Sequence, residues 1–487
     1  MLSILYKNKK EIPHTDARLS DDLMLDEAFG RIMQDIKKRQ IFLSVLTDPL
    51  SDPNEIAWRA DILHDFTAAD NLTDSLRTEF DRLKKLRDEA QRGRSKAYTA
   101  AKNNDSDTAL ISARVILTIQ AQTAVKALQI LSKLELALEI GRIRSDGLLA
   151  LKNRIRELLS GGDELTAMLE KLEAYGWSDE NYTASVSITL GEGGRITDCE
   201  LVSLEEPQAE VKTPRIASLF RKSGDKSSSI KKEPGVTVSD PYGKTRNLVF
   251  STAIGEINEL IDKTNHAIFD ELCPISRELA FYETATAYVR LMKQNGIPLC
   301  FPTCSDGYDI VGLRDLLLLT SIPNAGSVVP NDFRLDRRLG VLITGENNSG
   351  KTVYLRSVGT AQLMFQSGLP IPAESAVMKI RSAVKTAYAA AEKEFTAGND
   401  AGRFEQEVRV LSELFGSMPE NSLLLANEIF QTTSYSEGAE GLFYILRSLG
   451  ARGVSFILVT HLRELIPRFN DGALHLATSE GYKLTEA

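Results

Sequence analysis

The chain has 487 residues and a formal net charge of −9 at neutral pH, enough length for about three domain-sized units and too acidic for an electrostatic grip on nucleic acid along its whole surface, although a local basic stripe remains compatible. Its four cysteines, Cys199, Cys273, Cys300 and Cys304, make no disulfide framework and have no histidine at zinc-ligand spacing, so they read as reduced thiols, with a redox or metal role for Cys300 and Cys304 as the alternative. The first residues lack a sustained apolar stretch and no segment is long enough to cross a bilayer, so a cytoplasmic protein with no membrane partner is expected.

From the amino end, Asp22 to Leu46, Asn54 to Leu63, Leu72 to Arg92 and Ser106 to Leu138 carry apolar residues at three- and four-residue steps between charged faces. Prolines stand only at their edges, and the pattern predicts long packed helices. Leu148 to Tyr175 continues it. Val186, Ile188 and Leu190 then alternate with small polar residues, Gly191 to Gly194 reads as a turn, and Ile196 to Leu204 resumes an extended pattern, predicting a β-hairpin. Pro214 to Arg246 mixes Ser227-Ser228-Ser229 with Lys222, Lys226, Lys231 and Lys232 and reads as a solvated loop.

The chemistry lies further on. Leu339 to Ile343 is a short apolar run suited to a buried parallel strand, and Val353 to Gln366 has helical periodicity without proline. Between them stands Gly345-Glu346-Asn347-Asn348-Ser349-Gly350-Lys351-Thr352, a complete phosphate-binding loop. Gly345 and Gly350 let the backbone approach a phosphate chain closely. Lys351 would place its charge on the β and γ phosphates and Thr352 its hydroxyl on Mg²⁺, at a helix start whose dipole favours anions. The alternative is a plain glycine turn. Downstream, Leu423, Leu424 and Leu425 run into Ala426, Asn427 and Glu428, an apolar strand with polar groups at its tip. Glu428 is placed to polarise an attacking water. Asn427 stands where such enzymes usually have an Asp holding Mg²⁺, so the ion is held more loosely or hydrolysis is slow.

Asn347 in the loop, the continuation Tyr354-Leu355-Arg356-Ser357, the run from Ser422 to Ser434 and Val459-Thr460-His461 resemble the ATPase domain of the MutS family. Arg246 to Pro302, with Glu271-Leu272-Cys273 and Tyr282-Glu283-Thr284-Ala285, is similar to the helical core that precedes that domain. The resemblance implies an ABC-type domain, in which two P-loop domains face each other and sandwich ATP with Mg²⁺. It implies that His461 senses the γ-phosphate, a capping or core histidine being the alternative, and that Val328 and Val329 line the adenine, without the family's aromatic. Phe404 and Glu407 match the segment offered in trans to the opposing nucleotide, but Gly402 and Arg403 replace its Ser and Thr. Arg403 is therefore expected to reach the γ-phosphate as a charge, a solvated surface residue being the alternative. By the same resemblance Arg215, Arg221, Lys222, Lys231 and Lys232 are candidate contacts to the backbone of double-stranded DNA, against ordinary solubilising charges.

The expected fold is multidomain: an all-α core and lever with a small β-containing clamp insert, then an α/β P-loop NTPase domain of ABC type. Residues 1–176 would be the helical core and lever, 177–250 the insert, 251–310 the returning core and 311–487 the ATPase domain. No region resembles the family's mismatch-reading domain, and no helix-turn-helix is recognisable after Leu474 to Thr478 and Tyr482 to Glu486, which read as a closing hairpin. Mismatch reading is thus not expected, and either dimerisation runs through nucleotide alone or the chain is a fragment. The implied function is an ATPase whose dimer, homodimeric or with a related subunit, closes on ATP and moves its levers on DNA. The alternative is a nucleotide-switched scaffold for protein partners with little turnover.

Overall fold

The computed structural model describes residues 2–8, 12–69, 71–102, 106–174, 183–190, 196–205, 244–336, 338–388, 409, 411–430, 435–469, 472–480 and 483–486. Three aspartates organise its first helices. Asp16 accepts from the Leu19 N–H, Asp35 from Lys37 and Lys38, and Asp52 from Asn54, starting α1 (Ala17–Asp22), α3 (Ile36–Leu46) and α4 (Pro53–Ala68). Such caps supply the acceptors that the first turn of a helix lacks. Between α1 and α3, Met24 takes a left-handed φ of 53° and α2 (Leu25–Gly30) begins afresh. The single helix expected from Asp22 to Leu46 is therefore broken, because local capping and the left-handed turn compete with the apolar periodicity.

The later helices run longer than their apolar pattern. α5 (Leu72–Lys102), α6 (Ser106–Ile140), α7 (Asp146–Ala174) and α8 (Lys244–Gln294) form the helical part, with Pro274 inside α8. Buried Glu283 on α8 accepts from Arg77 of α5 and, at 2.8 Å, from Lys38 of α3, which ties the three helices at one point. The hairpin is present as β1 (Thr183–Leu190) paired antiparallel with β2 (Ile196–Glu205). Its turn, and most of the predicted loop from Pro214, lie outside the described residues.

The carboxyl-terminal part is α/β. In chain order it contains β3 (Thr303–Cys304), β4 (Tyr308–Leu313), α9 (Leu316–Ser321), β5 (Asn331–Leu335), β6 (Gly340–Gly345), α10 (Lys351–Gln366), β7 (Ser375–Met378), β8 (Val384–Tyr388), β9 (Leu423–Asn427), α11 (Tyr435–Ala451), β10 (Ser455–Val459), β11 (Leu474–Glu480) and β12 (Lys483–Glu486). One sheet has the order β12-β11-β6-β10-β9-β8 and a second the order β3-β7-β4-β5. The apolar runs at β6, β9 and β10 pair in parallel, as strands buried on both faces do. The expected closing hairpin is present, and its first strand lies parallel to β6 inside the sheet.

The amino-terminal helices also reach this sheet. Leu23 and Leu425 crowd Gly359 of α10, where an added Cβ would lie 2.9 Å and 2.4 Å from their methyl groups. Burial pushes the Cys273 and Cys300 thiols up to about 11, whereas Cys304 is exposed. Among the described residues no cluster of His, Cys, Asp and Glu could hold a metal ion, and no helix is long and apolar enough to cross a membrane.

Two glycines give opposite expectations. A Cβ on Gly340 would sit 2.4 Å from the main-chain oxygen of Phe456, whereas one on Gly161 in α7 meets nothing within 4 Å. Gly340→Ala is predicted to lower unfolding free energy by about 1–3 kcal/mol through overpacking. Gly161→Ala should raise it by roughly 0.5–1 kcal/mol through helix propensity. Urea titration of the two variants beside the wild type checks both signs.

Candidate functional site

β6 leads directly into the glycine loop and α10. Gly345 has φ 141°, Asn348 φ 62° and Gly350 φ 97°, angles that L side chains rarely adopt and that make the loop turn sharply around its own centre. A Cβ on Gly345 would lie 2.7 Å from the main-chain oxygen of Ser479 in β11, so glycine is required there by contact as well as by angle. The buried ammonium of Lys351 folds back into the loop and donates to the carbonyls of Gly345 at 3.0 Å and Glu346 at 2.7 Å. Both acceptors are neutral. A cation so held, at a helix start with free N–H groups, makes a strongly electropositive pocket of the kind that binds phosphate.

Thr352 donates its hydroxyl to the side-chain oxygen of Asn427 at 3.2 Å. The helix start thus meets the tip of β9, and the two oxygens form a donor set that suits a hard divalent cation, with an amide in place of a carboxylate. Parallel pairing sets Asn427 beside Val459 of β10. Just beyond these tips Glu428 takes a left-handed φ of 56° and donates its N–H to the Val459 carbonyl at 2.9 Å. For a residue with a side chain this conformation costs on the order of 1–3 kcal/mol. It brings the Glu428 carboxylate within 2.9 Å of His461 Nε2, both groups being partly exposed.

Lys351, Thr352, Glu428 and His461 border one cleft of about 950 Å³. Asn347 to Tyr354 form one wall, with Glu428 and His461 beside it. Leu313, Leu318, Ile322 and the two valines, Val328 buried and Val329 exposed, make an apolar opposite wall. Gly345 and Glu346 contribute through the carbonyls that hold Lys351. Asn347 to Thr352, Glu428, His461, Val328 and Val329 thus share one cleft, and Asn427 meets it through Thr352. Gly402, Arg403, Phe404 and Glu407 lie outside the described residues, as do Arg215, Arg221, Lys222, Lys231 and Lys232.

Sequence reasoning missed the groups that hold this geometry. Arg356 of α10 makes a two-point ion pair with Asp315 at 2.9 Å and 2.8 Å, and both side chains are buried. Asp315 also caps α9 through the Leu318 N–H. Tyr354 donates its hydroxyl to the Asp332 carbonyl at 2.8 Å, and burial keeps its phenol well above the usual range. Asp315 followed by four leucines was the one local signal, a cap before an apolar helix.

A mostly parallel sheet that runs into a glycine loop at a helix start, with an acid and a histidine just beyond neighbouring strands, is an α/β arrangement suited to phosphate. Residues 341–475 match MutS domain V. It is 27% identical over 339 residues to the Endonuclease MutS2 of Gemmatimonas aurantiaca, an alignment covering 67% of this chain and 38% of that protein. The Endonuclease MutS2 of an Anaeromyxobacter species is 34% identical over 161 residues, covering 33% of this chain and 19% of that relative. That of Clostridium botulinum is 36% identical over 140 residues, covering 28% and 17%. The chain thus matches well under half the length of each of these relatives.

Replacing Arg356 by Leu would leave Asp315 as a buried carboxylate without its cation. Arg356→Leu is predicted to lose about 3–5 kcal/mol of stability at neutral pH, measured by urea unfolding. A loss under about 1 kcal/mol would mean that water reaches the pair and screens it.

Proposed function

We propose that this chain binds ATP with Mg²⁺ in the cleft between the glycine loop and the two valines, and hydrolyses it slowly to drive a MutS-like cycle of dimer closure. The observation that carries the reading is the convergence of buried Lys351, the Thr352–Asn427 contact and the Glu428–His461 pair on one cleft. In this reading Lys351 and the loop N–H groups, from Gly345 to Thr352, hold the phosphates, and Val328 and Val329 face the base. Thr352 and Asn427 would hold Mg²⁺, which supplies charge neutralisation when bound. Glu428 orients the attacking water, and His461 hands its Nε2 contact from Glu428 to the γ-phosphate, so that the carboxylate is freed for water only when a triphosphate is present.

The relay to the helices is supported by contacts along α10. Its last residue, Gln366, bonds through its side chain to the Leu50 carbonyl at 2.6 Å and through its own carbonyl to the Leu50 N–H. A shift at Lys351 therefore has a bonded route toward α4. ATP moves this equilibrium only if it prefers one arrangement of the helices. The four-part division of the chain, Arg403 with Gly402, Phe404 and Glu407 acting in trans, and DNA backbone contacts by Arg215, Arg221, Lys222, Lys231 and Lys232 belong to the same proposal. The nuclease activity in the relatives' names does not, since so little of their length is matched.

One observation favours the second reading, a nucleotide-switched scaffold. Asn427 offers the ion site an amide and no charge, which weakens Mg²⁺ binding and turnover together. Steady-state ATP hydrolysis with and without duplex DNA separates the two. Under hydrolysis, Glu428→Gln should retain ATP binding and lose turnover by at least about a hundredfold, Arg403→Ala should slow turnover, and DNA should stimulate it. DNA affinity should fall steeply as salt rises. Tight ATP binding without turnover, restored by Asn427→Asp, would establish the scaffold instead. Absence of ATP binding by the wild type would end both readings.

A further inference from the structure

The closing hairpin touches both walls of the cleft. β11 runs parallel to β6 with Ser479 opposite Gly345, and the buried Ser479 hydroxyl donates to the Ser349 carbonyl at 2.6 Å. In a trans peptide the C=O and N–H point in opposite directions, and no described peptide bond is cis. The bond that draws the Ser349 carbonyl toward β11 therefore turns the Gly350 N–H away from β11. Gly350 lines the cleft, and its N–H is one of the donors at a helix start that no helix carbonyl accepts. On the other strand of the hairpin, the Leu484 N–H donates to the side chain of Asn331 at 2.8 Å. Asn331 lines the same cleft beside Val329.

We propose that Ser479 is a positioning residue for polyphosphate. Its hydroxyl orients the Ser349–Gly350 peptide so that the loop is set for phosphate before the ligand arrives, and the hairpin braces the loop against the base-side wall through Asn331. This rests on the nucleotide-binding reading above. Ser479 acts through the loop backbone and touches no reacting atom. An ordinary structural hydrogen bond at the same place would lower stability when removed but leave affinity below the melting temperature unchanged.

The test is equilibrium binding of a fluorescent ATP analogue to the full chain, with ATP and inorganic tripolyphosphate as competitors, for wild type, Ser479→Ala, Ser479→Thr and Lys351→Ala. Ser479→Ala should weaken ATP and tripolyphosphate by the same factor, roughly three- to tenfold for one neutral hydrogen bond. Ser479→Thr, which keeps the hydroxyl, should restore both, and Lys351→Ala should lose both. Should the alanine variant fail to fold, Ser479→Cys replaces it, with the same loss expected from a weak donor. Wild-type affinity in the folded alanine or cysteine variant, or a loss for ATP that tripolyphosphate does not share, overturns the role of Ser479 and leaves the nucleotide reading standing. A wild type that binds neither competitor overturns the nucleotide reading itself, and the role of Ser479 with it.

Discussion

The constraint on which the rest of the molecule depends is the burial of α10. Lys351 and then Tyr354 through Gln366 are buried without a break, so beyond Thr352 and Val353 this helix has no solvent face to receive its polar side chains. Each must find a partner inside. Lys351 finds two carbonyls of the loop, Arg356 finds Asp315, and Gln366 finds the carbonyls of Leu50 and Arg381. The helix is thereby fixed at its start, its middle and its end to three different parts of the chain. Gly359 adds a fourth contact, made by packing alone, with Leu23 and Leu425 pressed against its backbone. Close-packed interiors of this kind move between discrete arrangements and do not bend gradually. A helix so held suits the transmission of a ligand's presence at one end to the helices at the other.

The same polar interior explains why stability and specificity separate here. A buried ion pair such as Arg356–Asp315 recovers little net stability, because desolvation offsets most of the attraction. What it does is exclude alternatives: any rotation of α10 that parted the two groups would leave both buried and unpaired. Glu283 works in the same way among α3, α5 and α8, where Lys38 and Arg77 converge on one carboxylate. Apolar contacts supply the mass of the core, and these few charged contacts select one register for it.

Much of this was legible in the sequence wherever one local pattern sufficed. The loop from Gly345 to Thr352, the apolar runs that became β6, β9 and β10, and the hairpin near residues 183–205 have short-range signatures in glycine placement, hydrophobic continuity and alternation. Legibility failed where the determinant was long-range or capped. Periodicity carried one helix across Met24, since nothing in the apolar pattern signals that Asp16 and Asp35 would start separate helices. Ser479 was invisible as a site residue because its role exists only once β11 pairs with β6, far from it in the chain. Arg356 entered the sequence reading only as part of a motif, and its buried partner Asp315 lies 41 residues away in the chain. Beyond Val328 and Val329, the apolar wall had even less signal, being aliphatic side chains from several segments that share only a cleft.

The Thr352–Asn427 contact bears on how the site would divide its effort between binding and turnover. Their side chains satisfy each other at 3.2 Å. A divalent ion entering between them would have to compete for an amide oxygen that carries no formal charge, beside the Lys351 ammonium. The hydrogen-bond geometry of an ion site is thus kept while its electrostatic pull is reduced. On the neighbouring position, Glu428 sits in a strained left-handed conformation and leans on His461, so under the proposed function its carboxylate is engaged until something displaces that histidine. Both features act in the same direction. Under the proposed function, each makes the chemical step wait on a fully engaged nucleotide, and a protein that must hold one conformation long enough to act through its levers is better served by that delay than by rapid turnover.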